Sequence, residues 1–233
     1  MLAPLLRVRD RLRPATGPED EHEPAVQKLL NSLARKGFVC ADVGANEGVM
    51  TELLARRVGK SGRVVAFEPH PDNAAVIRRR LEQRGLGRRV TVREEAVSDG
   101  SASTVSLYPG RHAWHTEWNI RGHDIDGRAT EAVLEIPAVA LDAVFPPGSR
   151  LDLVKIDVEG AEGLVLAGMR RLLAEARPAL VVEFHDADAW ASRAILLDAG
   201  YRLYDTSGTP VADDADRVYH CLALPAGTPP PGD

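Results

Sequence analysis

The stretch ADVGANEGVM (Ala41–Met50) places two glycines and an asparagine between an apolar run and a helical pattern. The run before it, FVC, is typical of a strand, and TELLARR after it continues a helix. Gly44 permits a tight turn and a close approach of a ligand to the backbone. Gly48 leaves space in the first turn of the helix, which Asn46 is expected to cap. A plain strand–helix connection needs none of these features, so the turn predicts a binding site.

The alternation of strands and helices continues along most of the chain. RVVAFEP and RRVTVREEAV predict the next two strands, LDLVKIDVEG predicts a fourth and PALVVEFHD a fifth, with helical patterns between them. Near-continuous apolar strands of this kind predict a doubly wound α/β fold with a mostly parallel sheet. YRLYDTSG and DRVYHCLALP have no helix between them and predict a closing hairpin with one antiparallel strand. We therefore expect a Rossmann-like sheet of seven strands.

The length of 233 residues, 44% of them hydrophobic, allows one sizeable domain. Residues 1–37 are expected to form an N-terminal helical segment, 38–225 the main domain and 226–233 a disordered tail. Residues 100–150 break the strand–helix rhythm. We interpret this segment as an insertion before the fourth strand that binds the substrate.

Composition narrows the partners that the chain is expected to have. A net charge of −5 gives no electrostatic reason to expect nucleic acid. Cys40 and Cys221 lie in apolar runs and are expected to be buried without a disulfide. No apolar run reaches membrane-spanning length, and the N-terminus is too charged for a secretory signal. We expect a cytoplasmic protein without a membrane partner, and the oligomeric state stays open, a homodimer included.

Acidic residues follow the first strands at the edge of the sheet where ligands of such folds bind. Asp42 is placed to pair with a ligand amine. Glu68, followed by Pro69, is placed to accept the hydroxyls of an adenosine ribose. After the third strand, Glu95 and Ala96 are candidates to meet the edge of the adenine.

The acid beside the glycine turn separates two classes of adenosine ligand. A dinucleotide needs GxGxxG, whereas this turn has only GxxxG. An acid there disfavours a pyrophosphate and favours an ammonium or a sulfonium, and S-adenosylmethionine carries both. S-adenosylmethionine is therefore favoured over NAD, and an NAD-binding oxidoreductase remains an alternative.

Four motifs, DVGANEG, AFEPHP, KIDVEGAE and PALVVEFH, follow one another between about Phe38 and His185. Together they resemble the FkbM-type methyltransferase family. The resemblance implies a class I, S-adenosylmethionine-dependent fold that O-methylates a hydroxyl of a small molecule, such as a sugar or a natural-product intermediate. An N-methyltransferase of the same fold and a non-catalytic S-adenosylmethionine-binding module remain alternatives.

The ends of the fourth and fifth strands carry the candidate chemistry. An attacking hydroxyl needs a base or a metal because its pKa is high. Asp157 ends the fourth strand, where it is also expected to touch the cofactor, and Glu183 and His185 share one face of the fifth. His185 or Asp157 is the candidate base, and we favour this route. The alternative is a Mg²⁺ site of Asp157 and Glu183, with Asp186 as a further ligand.

Other polar residues near these strands have two interpretations each. Glu159 and Glu162 belong to the site or complement the positive end of the following helix. In the insertion, YPGRHAWHTEW offers His115 as a further catalytic candidate and two tryptophans, Trp114 and Trp118. The tryptophans stack on a sugar or a planar acceptor, or they anchor the insertion on the domain.

Overall fold

The computed structural model describes residues 18–109, 118–122, 132–212 and 214–231. The strands of these residues are β1 (Val39–Val43), β2 (Arg63–Phe67), β3 (Val90–Arg93), β4 (Ala96–Val97), β5 (Thr104–Pro109), β6 (Trp118–Asn119), β7 (Leu134–Val139), β8 (Leu153–Ile156), β9 (Ala179–Glu183), β10 (Tyr201–Tyr204) and β11 (His220–Pro225). The α-helices are α1 (Pro18–Leu33), α2 (Val49–Val58), α3 (Pro71–Gln83), α4 (Leu141–Val144), α5 (Glu162–Ala167), α6 (Arg170–Glu175), α7 (Ala187–Ala191) and α8 (Ala194–Asp198).

The main sheet confirms the predicted architecture. Its seven strands lie in the order β10-β11-β9-β8-β1-β2-β3. The pairs of β9, β8, β1, β2 and β3 are parallel, and β11 is antiparallel to both β9 and β10. The order reverses between β1 and β8, and in such sheets the ligand crevice lies at that reversal.

Each face of the main sheet carries its own apolar core. Side chains of α1, α2 and α3, among them Leu30, Leu54 and Ile77, pack with Cys40 on one face. The helices from α4 to α8 cover the other face around Phe184 and its neighbours. Cys40 and Cys221 are both buried and form no disulfide. None of the described helices combines the length and the hydropathy of a membrane-spanning segment.

The insertion forms a small sheet of its own, in the order β4-β7-β5-β6. The sequence predicted one strand from Arg88 to Val97, but the chain leaves the main sheet after Arg93 and enters the small sheet at Ala96. Leu107 and Ile136 pack with Ala96 in a separate apolar core. The small sheet therefore lies directly after the end of β3, at the edge where the crevice opens.

Two helices predicted as continuous are divided. The helical pattern AEGLVLAGMRRLLAEAR after β8 splits into α5 and α6 around Gly168. An added Cβ at Gly168 would lie 2.0 Å from the carbonyl oxygen of Ser98. The close approach of the Ser98 loop explains the break. The helical pattern ADAWASRAILLDAG after β9 splits into α7 and α8. Within the insertion, Leu141–Val144 is helical. After β11, the backbone N–H of Ala226 donates a hydrogen bond to the carbonyl oxygen of Gly200 at 2.9 Å.

Candidate active site

An open cleft lies between the ends of β1, β2 and β8 and the small sheet. Its polar side chains include four carboxylates, Glu68, Glu95, Asp157 and Glu159. Leu107 and the β6 segment from Trp118 to Ile120 form the wall on the small sheet. No lysine, arginine or histidine is among the described residues that line it. The described lining therefore offers carboxylate groups to a ligand, two of which are partly balanced by ion pairs, Glu95 with Arg93 and Asp157 with Lys155.

The glycine turn is shaped by the protein's own backbone. Gly44 has φ +78°, and an added Cβ would lie 1.7 Å from the carbonyl oxygen of Asp157. The missing side chain faces the loop after β8, and Gly44 also lines the cleft, so its close approach to a ligand stays a prediction. Gly48 itself is the N-cap of α2, with φ +81° and no side-chain cap, so Asn46 does not cap the helix.

Asp42 is fully buried and is not among the described residues that line the cleft. Its carboxylate accepts a hydrogen bond from Thr51 Oγ1 at 2.5 Å and lies 3.7 Å from Lys155 Nζ. Burial raises its pKa against the opposing effects of Lys155 and Thr51. This corrects the prediction that Asp42 contacts a ligand amine directly, because strand alternation turns its side chain toward α2.

Lys155, which the sequence did not single out, connects the two strands at the order reversal. Its buried ammonium donates to the carbonyl of Gly44 at 2.9 Å and lies 3.0 Å from Asp157 Oδ2. Burial lowers its pKa, but Asp157 and Asp42 outweigh that effect and raise it. Lys155 is therefore a fixed cation that holds the glycine turn against the end of β8.

Glu68 borders the cleft and holds the segment that follows β2. Its Oε2 accepts the N–H of Asn46 at 2.7 Å, and its Oε1 accepts the N–H of His70 at 3.0 Å and Nδ2 of Asn73 at 3.3 Å. Burial raises its pKa to about 7, although these hydrogen bonds act in the opposite direction. The position suits the predicted contact with a ribose.

The residues predicted beside the adenine also line the cleft, namely Pro69, Glu95 and Ala96. Glu95 forms an ion pair with Arg93. The ring of His70 stacks on Trp118 with centroids 4.1 Å apart and planes 15° from parallel. Trp118 thus both lines the cleft and joins the small sheet to the main domain.

Asp157, Glu183 and His185 come together as the strand positions predicted, with ligand-type atoms within 4.8 Å of one another. His185 Nε2 lies 3.3 Å from Glu183 Oε1, 3.5 Å from Glu159 Oε2 and 3.7 Å from Asp157 Oδ1. We call Asp157, Glu159, Glu183 and His185 the strand-tip cluster. Only its first two members line the cleft.

Glu162 supports this cluster from below and is fully buried. Its Oε1 lies 2.8 Å from His185 Nδ1 and accepts the backbone N–H of Gly160 at 3.1 Å. Burial alone lowers the pKa of His185, but Glu162, Glu183 and the nearby charges raise it to about 12. Glu162 therefore does more than complement a helix end. Its role depends on a partner 23 residues away, which local pattern does not reveal.

Burial and the charge of Glu183 raise the pKa of Asp157, against Lys155 and His185. The pKa of Glu183 is lowered despite its burial, because His185 and His220 hydrogen-bond to it. His220 Nε2 lies 2.7 Å from Glu183 Oε2. The cluster thus holds closely spaced carboxylates at the base of the cleft.

Asp186 lies apart from this cluster. Its Oδ1 caps α7 by accepting the N–H of Ala189 at 2.7 Å, and its Oδ2 forms an ion pair with Arg121 of the insertion. This corrects its prediction as a metal ligand, because both oxygens are engaged elsewhere. His115 and Trp114 lie outside the described residues.

Solved structures with the same fold are methyltransferases. A precorrin-6y C5,15-methyltransferase from Geobacter metallireducens GS-15 has a TM-score of 0.51 and 18% identity over 91% of this chain and 90% of its own. An FkbM methyltransferase from Methylobacillus flagellatus KT has a TM-score of 0.52 and 19% identity over 88% of this chain and 59% of its own. A putative rRNA-methylase from Clostridium thermocellum has a TM-score of 0.52 and 11% identity over 86% of this chain and 92% of its own.

The fold is that of the class I methyltransferases. Residues 42–203 match the family model described as the methyltransferase FkbM domain. The match covers more than half of the chain, which belongs to this family and is an S-adenosylmethionine-dependent methyltransferase. No curated protein sequence matches it significantly.

Proposed function

We propose that the protein transfers a methyl group from S-adenosylmethionine to a hydroxyl of a small molecule, such as a sugar or a natural-product intermediate. One observation carries the proposal: the described lining of the cleft has four carboxylates and no cationic side chain. Such a surface attracts the sulfonium and ammonium of the cofactor and repels phosphates. It therefore favours S-adenosylmethionine over the pyrophosphate of NAD as the ligand of this cleft.

The cofactor is proposed to lie along the ends of β1, β2 and β3. Three N–H donors already occupy the carboxylate of Glu68, which leaves acceptor capacity at Oε2 for one ribose hydroxyl. Pro69 and Ala96 offer apolar contacts on either side of this position, as an adenosine requires. Asp42 acts indirectly, because through Lys155 it helps to fix the glycine turn.

The chemistry is proposed to take place at the strand-tip cluster. Bound S-adenosylmethionine would supply the methyl group. The S–C electron pair stays on sulfur, the methyl carbon bonds to the acceptor oxygen, and the hydroxyl loses its proton. Asp157 lines the cleft and its side chain is 30% exposed, whereas that of His185 is 6% exposed. Asp157 is therefore the group that an acceptor hydroxyl reaches, and His185 lies behind it. Of the two candidate bases named from the sequence, His185 and Asp157, the proposal takes Asp157.

The experiment is a methyl-transfer assay with isotopically labelled S-adenosylmethionine and product detection by mass spectrometry. Hydroxylated sugars and polyketide-type alcohols form one panel, matched amines a second, and total RNA a third. We expect labelled methyl groups on oxygen in the first panel and loss of transfer in Asp157→Asn. Methylated amines or RNA, with no methylated hydroxyl, would refute the proposal and identify the acceptor class.

A further inference from the structure

The Nε2 atom of His185 faces more carboxylates than one proton can serve. Oxygens of Glu183, Glu159 and Asp157 lie 3.3, 3.5 and 3.7 Å from it. The opposite nitrogen, Nδ1, is engaged by Glu162 at 2.8 Å, so the orientation of the ring is fixed. An N–H donates along one direction. The nitrogen and the oxygens of Asp157 and Glu183 form a donor set that suits a divalent cation.

Carboxylates outnumber the cationic groups around this point, even when His185 is counted as protonated. Four carboxylates, those of Asp157, Glu159, Glu162 and Glu183, lie within 3.7 Å of a ring nitrogen of His185. Lys155 is the cation beside Asp157, at 3.0 Å, and His220 lies against Glu183 on the side away from His185.

We propose that Asp157, Glu183 and His185 Nε2 bind one divalent cation of the Mn²⁺ type, with Glu159 beside it. Around an ion with bonds of about 2.1 Å, neighbouring ligands are about 3 Å apart. The observed separations of 3.3 and 3.7 Å need only small side-chain shifts to reach this arrangement. The imidazole suits a first-row transition ion better than Mg²⁺, and the two carboxylates suit Mn²⁺, so a Mn²⁺-type ion takes the place of the Mg²⁺ of the sequence-based alternative.

Glu162 takes the position of an orienting partner behind the histidine ligand. Histidines that bind metals commonly donate their second N–H to a carboxylate, which fixes the tautomer and the ring. Glu162 is fully buried and holds Nδ1 of His185 in this way. The catalytic role of the cation rests on the proposed function: it would lower the pKa of an acceptor hydroxyl beside Asp157. The binding itself does not depend on that function.

The test is a Mn²⁺ titration of the EDTA-treated full chain, followed by electron paramagnetic resonance without acceptor or cofactor. We expect one Mn²⁺ per chain, with affinity at least tenfold weaker in Asp157→Asn and Glu183→Gln. Glu162→Gln should weaken it by about 10- to 100-fold. Glu82→Gln, which removes an exposed charge on α3, should bind as the wild type does. Absence of stoichiometric binding in the wild type, or equal binding in all variants, would overturn the proposal.

A second readout does not depend on the folding of the variants. Electron spin echo modulation of the wild-type Mn²⁺ complex should show a coordinated imidazole nitrogen, and its absence would overturn the assignment of His185. Methyl transfer is assayed separately before and after EDTA. Mn²⁺ binding without transfer to any hydroxyl would support the cation site and refute the proposed function. Transfer insensitive to EDTA, without Mn²⁺ binding, would refute the site and leave the function standing.

Discussion

Replacing Glu68 by Gln should weaken the binding of S-adenosylmethionine, because it removes the charge of the carboxylate that borders the cleft. Oε1 accepts from His70 and Asn73, and Oε2 accepts from Asn46. A carboxylate has about four acceptor sites, so one remains for a ribose hydroxyl. The sequence predicted that both hydroxyls bind here; with three donors already on the carboxylate, we expect one.

The magnitude follows from that single bond. A hydrogen bond to a charged group contributes about 1.5–3 kcal/mol, which corresponds to about a 10- to 150-fold higher Kd in Glu68→Gln. Isothermal titration calorimetry at pH 8 measures it. The control is Glu94→Gln, which changes an exposed carboxylate paired with Arg78 on the surface. A Kd within twofold of the wild type in Glu68→Gln would refute the ribose assignment.

The pH dependence of Glu68 gives a second signature. Its pKa is raised from 4.5 to about 7, so the folded apoprotein binds more protons than the unfolded chain between these values. This contribution to stability is complete below pH 4.5 and is lost as the pH rises through about 7, by up to about 3 kcal/mol. Cofactor binding, which needs the charged form, should follow the opposite trend. Glu68→Gln should lack both trends in urea unfolding and calorimetry.

Two further predictions concern the turn and the stacked pair. Gly44→Ala should lower the free energy of unfolding by more than about 3 kcal/mol, because its Cβ would meet the carbonyl of Asp157. Gly85→Ala, also at positive φ but with nothing within 4 Å, should cost only about 1–2 kcal/mol; equal losses in urea unfolding would contradict the steric argument. Trp118→Ala removes the stack on His70 and should raise the Kd for S-adenosylmethionine about tenfold, whereas Trp118→Phe should largely retain it. Unchanged calorimetric binding in Trp118→Ala would show that the stack only anchors the insertion.

The sheet and the strand-tip cluster were predictable because both depend on local periodicity. Parallel apolar strands meet at one edge with their carboxyl ends, and alternation places Glu183 and His185 on one face. Asp157 lies close to these residues because β8 and β9 are neighbouring strands. No long-range information beyond the order of strands was needed.

The orientation of single side chains was not predictable in the same way. Asp42 turns toward Thr51 of α2, and Glu162 reaches His185 across two elements. Gly168 breaks a helix because the loop at Ser98 approaches it. Each outcome depends on a contact between residues that are distant in the chain or on different elements. A single sequence does not record such contacts.

The most direct test of the account is a crystal structure of the protein with S-adenosylhomocysteine. The account predicts a ribose hydroxyl within hydrogen-bond distance of Glu68 and the adenine beside Ala96. It also predicts that the sulfur faces Asp157 and Glu159, where an acceptor hydroxyl would receive the methyl group. A ribose bound away from Glu68, or a sulfur that faces away from both carboxylates, would contradict it.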